Sequence, residues 1–381
     1  MKSIKFLLPV ILFMFLAGTY AKDNEKTSTN QTLQIKSTFL NEERDIGIYL
    51  PANYHSSDNS YPVLYLLDGS THFQHAVGAA NFLSTQGLAP DLIVVAVYNV
   101  DRNRDFSPVH QERIPTSGGA DKFLEFVSDE LMPSLDKTYR TSGFSMLMGH
   151  SFGGTFAVHS LLTKPELFDA YFAVSPYLQY ADNYLVKKAE EAFKPFEGQQ
   201  KYFYMTVGDE PNFFEALDAF SKAVKEKTRE TVEFKYVQMK SENHASIPYL
   251  SVFNGLRFVF LEWALPQEKL QQGLDAIDAH YSLVSSKFGF KVETPELVIN
   301  ALGYRFLQGN DIEKAIVIFR ENVKRNPLSP NVFDSLGEAY ENNGQLKLAG
   351  KNYQKAVELG EPSKDPNLLV YRKNLKRVQQ E

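Results

Sequence analysis

The chain has 381 residues, 43% hydrophobic and 23% charged, which is enough apolar content for one large core plus a smaller unit and too much for a disordered chain. Its 40 Lys and Arg stand against 46 Asp and Glu, a formal charge of −6 with no long basic block, so nucleic acid is not an expected partner. Cysteine is absent, which removes disulfides, thiolate metal sites, a Cys nucleophile and a lipid-modified Cys together.

At the N-terminus Lys2 and Lys5 precede an apolar run over 6–17 and then Thr19-Tyr20-Ala21, the pattern of a secretory signal peptide over 1–21. The run is shorter than the roughly 20 residues that cross a bilayer. The expectation is an exported protein, periplasmic or secreted, with no membrane span in the mature chain. A polar stretch over 22–31 then leads into a main domain predicted over 32–265. Strand-like runs follow at 38–50, 63–67, 92–98, 144–148, 171–174, 202–207 and 234–239, most of them continuously apolar, as strands buried on both faces are. Between them, 122–135, 156–163, 213–227 and 249–263 carry apolar residues at helical spacing. Alternating strands and helices predict an α/β fold, a mostly parallel sheet with helices on both faces.

After Leu265-Pro266 no strand-like run remains, and 266–381 reads as a small all-α region. Leu302-Gly303 aligns with Leu336-Gly337, Ala315 with Ala349, Phe319 with Tyr353 and Val323 with Val357, each pair 34 residues apart. That offset is the tetratricopeptide period, in which small Gly and Ala let paired helices cross closely while an aromatic fills the gap. Two such units cannot bury their faces alone, so they are expected to stack on 267–286 and beneath a capping helix near 367–378. Their groove is the expected place for any protein partner.

The chemistry is concentrated in Gly149-His150-Ser151-Phe152-Gly153, a G-x-S-x-G run that follows a predicted strand and precedes a predicted helix. That context is what a nucleophile elbow requires, and it makes Ser151 the expected nucleophile. His150 is expected to point away from the cleft. A serine hydroxyl needs a base, and in hydrolases of this layout the order is Ser, acid, His. His244, in the polar loop Glu242-Asn243-His244-Ala245-Ser246, is the expected base; His280 falls in the helical tail. The acid belongs after the strand at 202–207, where Glu210 is preferred over the adjacent Asp209, a choice that chain order does not decide. The backbone N–H groups of Phe152 and of Ser70, in Asp68-Gly69-Ser70-Thr71, are the expected oxyanion donors. Arg102 is a candidate substrate-binding residue, because a guanidinium offers bidentate geometry to an anion. The alternative is that Arg102 and Arg104 form a network with Asp101 and Asp105 that holds their loop. His72 and His75 lack a third ligand, so neither a metal nor an organic cofactor is expected.

The run at 61–69, Asp101-Arg102-Asn103-Arg104-Asp105, Glu130-Leu131-Met132-Pro133, the run at 149–154, Ser175-Pro176 and Asn243-His244 together resemble one esterase family of the α/β-hydrolases. This family contains esterase D, the enterochelin and other siderophore esterases, and the mycolyl transferases. The resemblance covers roughly 37–263. It implies a lid-less α/β-hydrolase core, Ser151 and His244 as catalytic residues, and Ser70 and Phe152 as N–H donors. It leaves the acid open, since family members vary there and some work with a Ser-His pair. The chain is also similar to siderophore-esterase-like proteins that carry C-terminal tetratricopeptide-like helices.

The expected function is therefore hydrolysis of a small-molecule carboxylic ester through an acyl-Ser151 intermediate. A siderophore ester or trilactone is the first substrate expected, a short acyl or aryl ester the second. Acyl transfer on the same core is one rival, and a non-catalytic binding protein acting through its repeats is another.

Overall fold

The apolar runs form β1 (Asn30–Ser37), β2 (Glu42–Tyr49), β3 (Tyr61–Leu66), β4 (Ile93–Val97), β5 (Thr141–His150), β6 (Ala170–Val174), β7 (Lys201–Val207) and β8 (Val232–Gln238). This computed structural model describes residues 30–380 apart from 53, 193–199 and 229–231; the expected signal peptide lies outside the described residues. The strands make one eight-stranded sheet in the order β1-β2-β4-β3-β5-β6-β7-β8. From β4 through β8 every pairing is parallel, and only β1 with β2 and β2 with β4 are antiparallel. The α/β-hydrolase architecture read from the sequence is the one observed.

Helices cover both faces: α1 (Gly69–Thr85), α2 (Arg102–Phe106), α3 (Ala120–Glu125), α4 (Met132–Thr138), α5 (Phe152–Thr163), α6 (Tyr180–Ala192), α7 (Pro211–Thr228) and α8 (Ile247–Val259). Side chains alternate between two cores, which is why the strands look continuously apolar. Val63, Tyr65, Leu67 and Leu147 enter one core with Phe123, Phe156 and Phe220, whereas Leu64, Leu66, Met146 and Met148 enter the other with Phe73, Leu256 and Val259.

The sheet holds one strand more than the apolar runs predict. The single strand expected over 38–50 begins with a turn at 38–41, in which Asn41 takes φ 53°, and only then runs as β2; β1, ahead of the turn, pairs back on β2 with Ser37 opposite Glu42. As an edge strand β1 leaves most of its residues exposed, and Leu33 and Ile35, which pack toward the core, are its only apolar residues, so it carries no apolar run.

The tail comprises α9 (Gln267–Gln272), α10 (Leu274–Phe288), α11 (Glu296–Gln308), α12 (Ile312–Arg325), α13 (Pro330–Asn342), α14 (Leu346–Ser363) and α15 (Leu368–Gln379). Val284 and Phe288 of α10 join the sheet core, while Ile277 and Tyr281 of the same helix pack on Leu302 of α11, so α10 couples the two parts. In each hairpin a glycine lies against an aromatic ring. A Cβ on Gly303 would come within 2.4 Å of Phe319, and one on Gly337 within 2.7 Å of Tyr353. Among the described residues no helix is long and apolar enough to cross a membrane.

Candidate active site

Ser151 stands alone between the end of β5 and the start of α5, with φ 59° and ψ −117°. For a residue with a side chain this conformation costs on the order of 1–3 kcal/mol, and it persists only where the surroundings enforce it. Here the Ser151 N–H donates to the Val174 carbonyl at 2.9 Å and its carbonyl accepts the Thr155 N–H at 2.9 Å. The turn is so tight that a Cβ on Gly149 would lie 2.0 Å from the Gly153 carbonyl oxygen. Gly149→Ala is therefore expected to destabilise the protein by about 3 kcal/mol or more, read as a lower urea midpoint or loss of soluble protein. A variant with the wild-type midpoint would mean that the turn has room to open.

His244 and Glu210 meet beside this turn. Asn243 shapes the loop after β8 by accepting the N–H groups of Ala245 and Ser246 at 2.9 and 3.1 Å. The His244 Nδ1–H donates to Glu210 Oε1, which leaves Nε2 as the nitrogen available to a hydroxyl. The other carboxylate oxygen of Glu210 accepts from Ser175 Oγ at 2.5 Å and from the Gly208 N–H at 3.0 Å. The carboxylate is thus held on both oxygens, with its side chain only 9% exposed against 42% for His244. Asp209 is exposed, and its backbone N–H ties its loop to the Glu242 carbonyl at 2.7 Å. Ser175 went unremarked as a site residue in the sequence; the one signal was Ser175-Pro176 following a strand.

Ser70 and Phe152 occupy the first turns of α1 and α5, where helical N–H groups have no acceptor within the helix and the helix dipole favours negative charge. The two turns are joined by side chains. Asp68, with φ 53°, receives Arg102 Nε at 2.6 Å, Arg102 Nη2 at 3.0 Å and Asn99 Nδ2 at 2.6 Å. Arg102 Nη2 also donates to the carbonyl of His150 at 3.1 Å, so one guanidinium clamps Asp68, at the head of the helix bearing Ser70, to the residue before Ser151. Arg102, the candidate for substrate binding, thus turns most of its donors on the protein itself. Arg104 fits the network alternative, with Asp105 at 2.8 Å and Glu42 at 2.7 Å, beside the buried Arg44.

His150 departs from expectation. Its ring does not turn away from the site but packs on His244, centroids 4.5 Å apart, and meets His72 at 5.4 Å. His244 arrives on a loop 94 positions later in the chain, so reasoning from the residues around His150 missed the contact. His72 Nδ1 and His75 Nε2 share a hydrogen bond of 3.0 Å, and among the described residues no group of His, Asp or Glu is arranged to hold a metal.

Burial pushes His150 down to about 3, helped by His244, and His75 down to about 4, helped by His72; burial also lowers His72. Each therefore stays neutral to lower pH in the folded chain than in the unfolded one, where it charges below its ordinary value of 6.5. The unfolded chain binds more protons there, so stability present above pH 6.5 is lost as pH falls toward 4. The thermal midpoint is expected to drop across that window, less steeply in His75→Gln, and an unaltered slope in the variant is the contrary result.

The model of the family described as Putative esterase matches residues 37–249. The chain belongs to that family. Ferri-bacillibactin esterase BesA of Bacillus subtilis (strain 168) is 26% identical over 226 residues, 52% of this chain and 78% of BesA. The crystal structure of an IroE-like serine hydrolase from Shewanella oneidensis superposes with a TM-score of 0.64 at 28% identity, covering 74% of this chain and 95% of that one. An uncharacterised protein from Capnocytophaga ochracea, 20% identical with a TM-score of 0.62, covers 92% of this chain and 100% of its own, so the likeness of fold extends into the helical tail. The family and these relatives make the chain a carboxylic ester hydrolase of the serine hydrolase type, acting on a small-molecule ester.

Proposed function

We propose that the chain hydrolyses a siderophore ester, of the trilactone type, by way of an acyl-Ser151 intermediate. The observation that carries the mechanism is the strained Ser151 turn with the His244–Glu210 pair beside it. In the first step His244 Nε2 takes the Ser151 proton as Oγ bonds to the ester carbonyl carbon. The N–H groups of Ser70 and Phe152 bind the resulting oxyanion, a contribution of several kcal/mol in such sites. As the intermediate collapses, the C–O bond to the alcohol breaks and the imidazolium returns its proton to that oxygen. Water repeats the sequence on the acyl-enzyme, and Glu210 stabilises the cation both times.

The substrate reading rests on relatives named as siderophore esterases, which stand beside the ferri-bacillibactin esterase BesA among the similar proteins. A panel of ferric trilactone siderophores, short acyl esters and aryl esters tests it. Preferred turnover of the trilactones is expected; turnover of simple esters with none of any lactone would contradict it.

Arg102 acts in this scheme by holding the oxyanion loop in place. Arg102→Lys removes the two-pronged grip on Asp68 and is expected to lower kcat about 10- to 100-fold, because displacement of an ångström costs that much, with KM changing less. A rise in KM alone, measured on the same ester, would instead make Arg102 a substrate contact.

We also read 1–21 as a cleaved signal peptide of an exported protein, 32–265 as the esterase domain and 266–381 as a tetratricopeptide-like region. The matching contacts of Gly303 with Phe319 and Gly337 with Tyr353 support the repeat reading, and the groove of such repeats suits a protein partner.

A further inference from the structure

A cavity of about 530 Å³ opens between the first half of α1 and the start of α8. Thr71 in its wall follows Ser70, and Ala245 follows His244, so it adjoins the place where an ester would sit. Three planar rings, those of His72, His75 and Tyr249, stand in the rest of the wall. Tyr249 leaves 64% of its surface exposed and tilts over His75, centroids 5.9 Å apart at 42°, with Pro248 and Leu250 beside it. No Lys or Arg lines the cavity, and Glu242 does.

We propose that this cavity receives an uncharged aryl group on the alcohol side of the ester; the inference rests on the acyl-Ser151 mechanism proposed above. Its size lies within the roughly 300–1,000 Å³ of small-molecule sites. The ring faces of Tyr249 and His75 favour an offset or edge-on aromatic partner, a geometry that an alkyl chain cannot supply. An anionic ring would meet the Glu242 carboxylate and no cation. The side of the ester follows from proton transfer. With the carbonyl oxygen on the Ser70 and Phe152 N–H groups, the departing oxygen has to face His244 to receive its proton. The wall formed by Glu242, Ala245 and Ser246 belongs to the loop that carries His244.

The test compares 2-phenylethyl acetate with butyl acetate, whose alcohols are of similar basicity, so that the ratio of kcat/KM reports recognition rather than leaving-group chemistry. That ratio is expected to favour the aryl ester in the wild type, to fall about tenfold in Tyr249→Ala, the scale of a lost apolar pocket contact, and to hold in Tyr249→Phe. Because Tyr249 is largely exposed, the variants should fold. Binding of the alcohol alone, 2-phenylethanol, followed by NMR line broadening, supplies a readout independent of turnover, and Tyr249→Ala is expected to abolish it. An unchanged ratio in Tyr249→Ala overturns the proposal, as does an equal loss toward both esters. A preference for aryl on the acid side, with methyl benzoate favoured over methyl pentanoate and that preference lost in Tyr249→Ala, overturns the assignment of the side. Binding of 2-phenylethanol by a protein that turns over no ester upholds the aryl cavity and sinks the acyl-Ser151 mechanism instead.

Discussion

Ser151→Ala is expected to lower kcat toward a small ester by about a thousandfold or more while leaving the thermal midpoint unchanged. The substitution removes one oxygen from a partly exposed turn and touches none of the backbone bonds that hold it, since those run through the Ser151 N–H and carbonyl. Without Oγ no acyl-enzyme forms, and the oxyanion donors and His244 can at best assist direct attack by water. Kinetics on purified wild type and variant, with matched melting curves, decide the matter. A folded variant that keeps more than about a hundredth of the wild-type kcat would remove Ser151 from the chemistry.

The next largest effect is expected at Glu210. Glu210→Gln keeps the shape of the side chain but replaces the acceptor facing His244 Nδ1 with an amide, which can donate in its place and stabilise the wrong tautomer. It also removes the charge that supports the imidazolium. The expected loss in kcat is about 100- to 10,000-fold by analogy with the acid of other triads. Asp209→Asn is expected to stay near wild type, because Asp209 is exposed, its loop is held through its backbone N–H, and the partner of His244 Nδ1 is Glu210. A larger loss at Asp209 would reassign the acid, and mild effects at both positions would make the site a working Ser-His pair.

The difference between these two carboxylates illustrates what the sequence could and could not convey. Strand β5, the turn at Ser151 and helix α5 are consecutive in the chain, and each is coded locally: an apolar run, glycines where a Cβ would collide, and helical spacing. The alternation of strands and helices gave the sheet for the same reason. Chain order brought the acid to Gly208-Asp209-Glu210, but the choice between neighbours depends on Ser175 and His244, which arrive from other strands. The clamp of Arg102 on Asp68 and the packing of His150 on His244 are likewise pairings between distant segments, and nothing in the flanking residues announces them. Arg102 looked available for a substrate because its partner sits after a different strand. Edge strand β1 escaped notice because exposure on one side leaves only Leu33 and Ile35 as an apolar signal.

The central claim is that Ser151 is the activated nucleophile, and labelling with a fluorophosphonate followed by peptide mass mapping tests it most directly. The account predicts a single adduct on Ser151, loss of ester turnover in step with labelling, and slower labelling in Glu210→Gln. An unmodified Ser151 in a preparation that hydrolyses esters would contradict it.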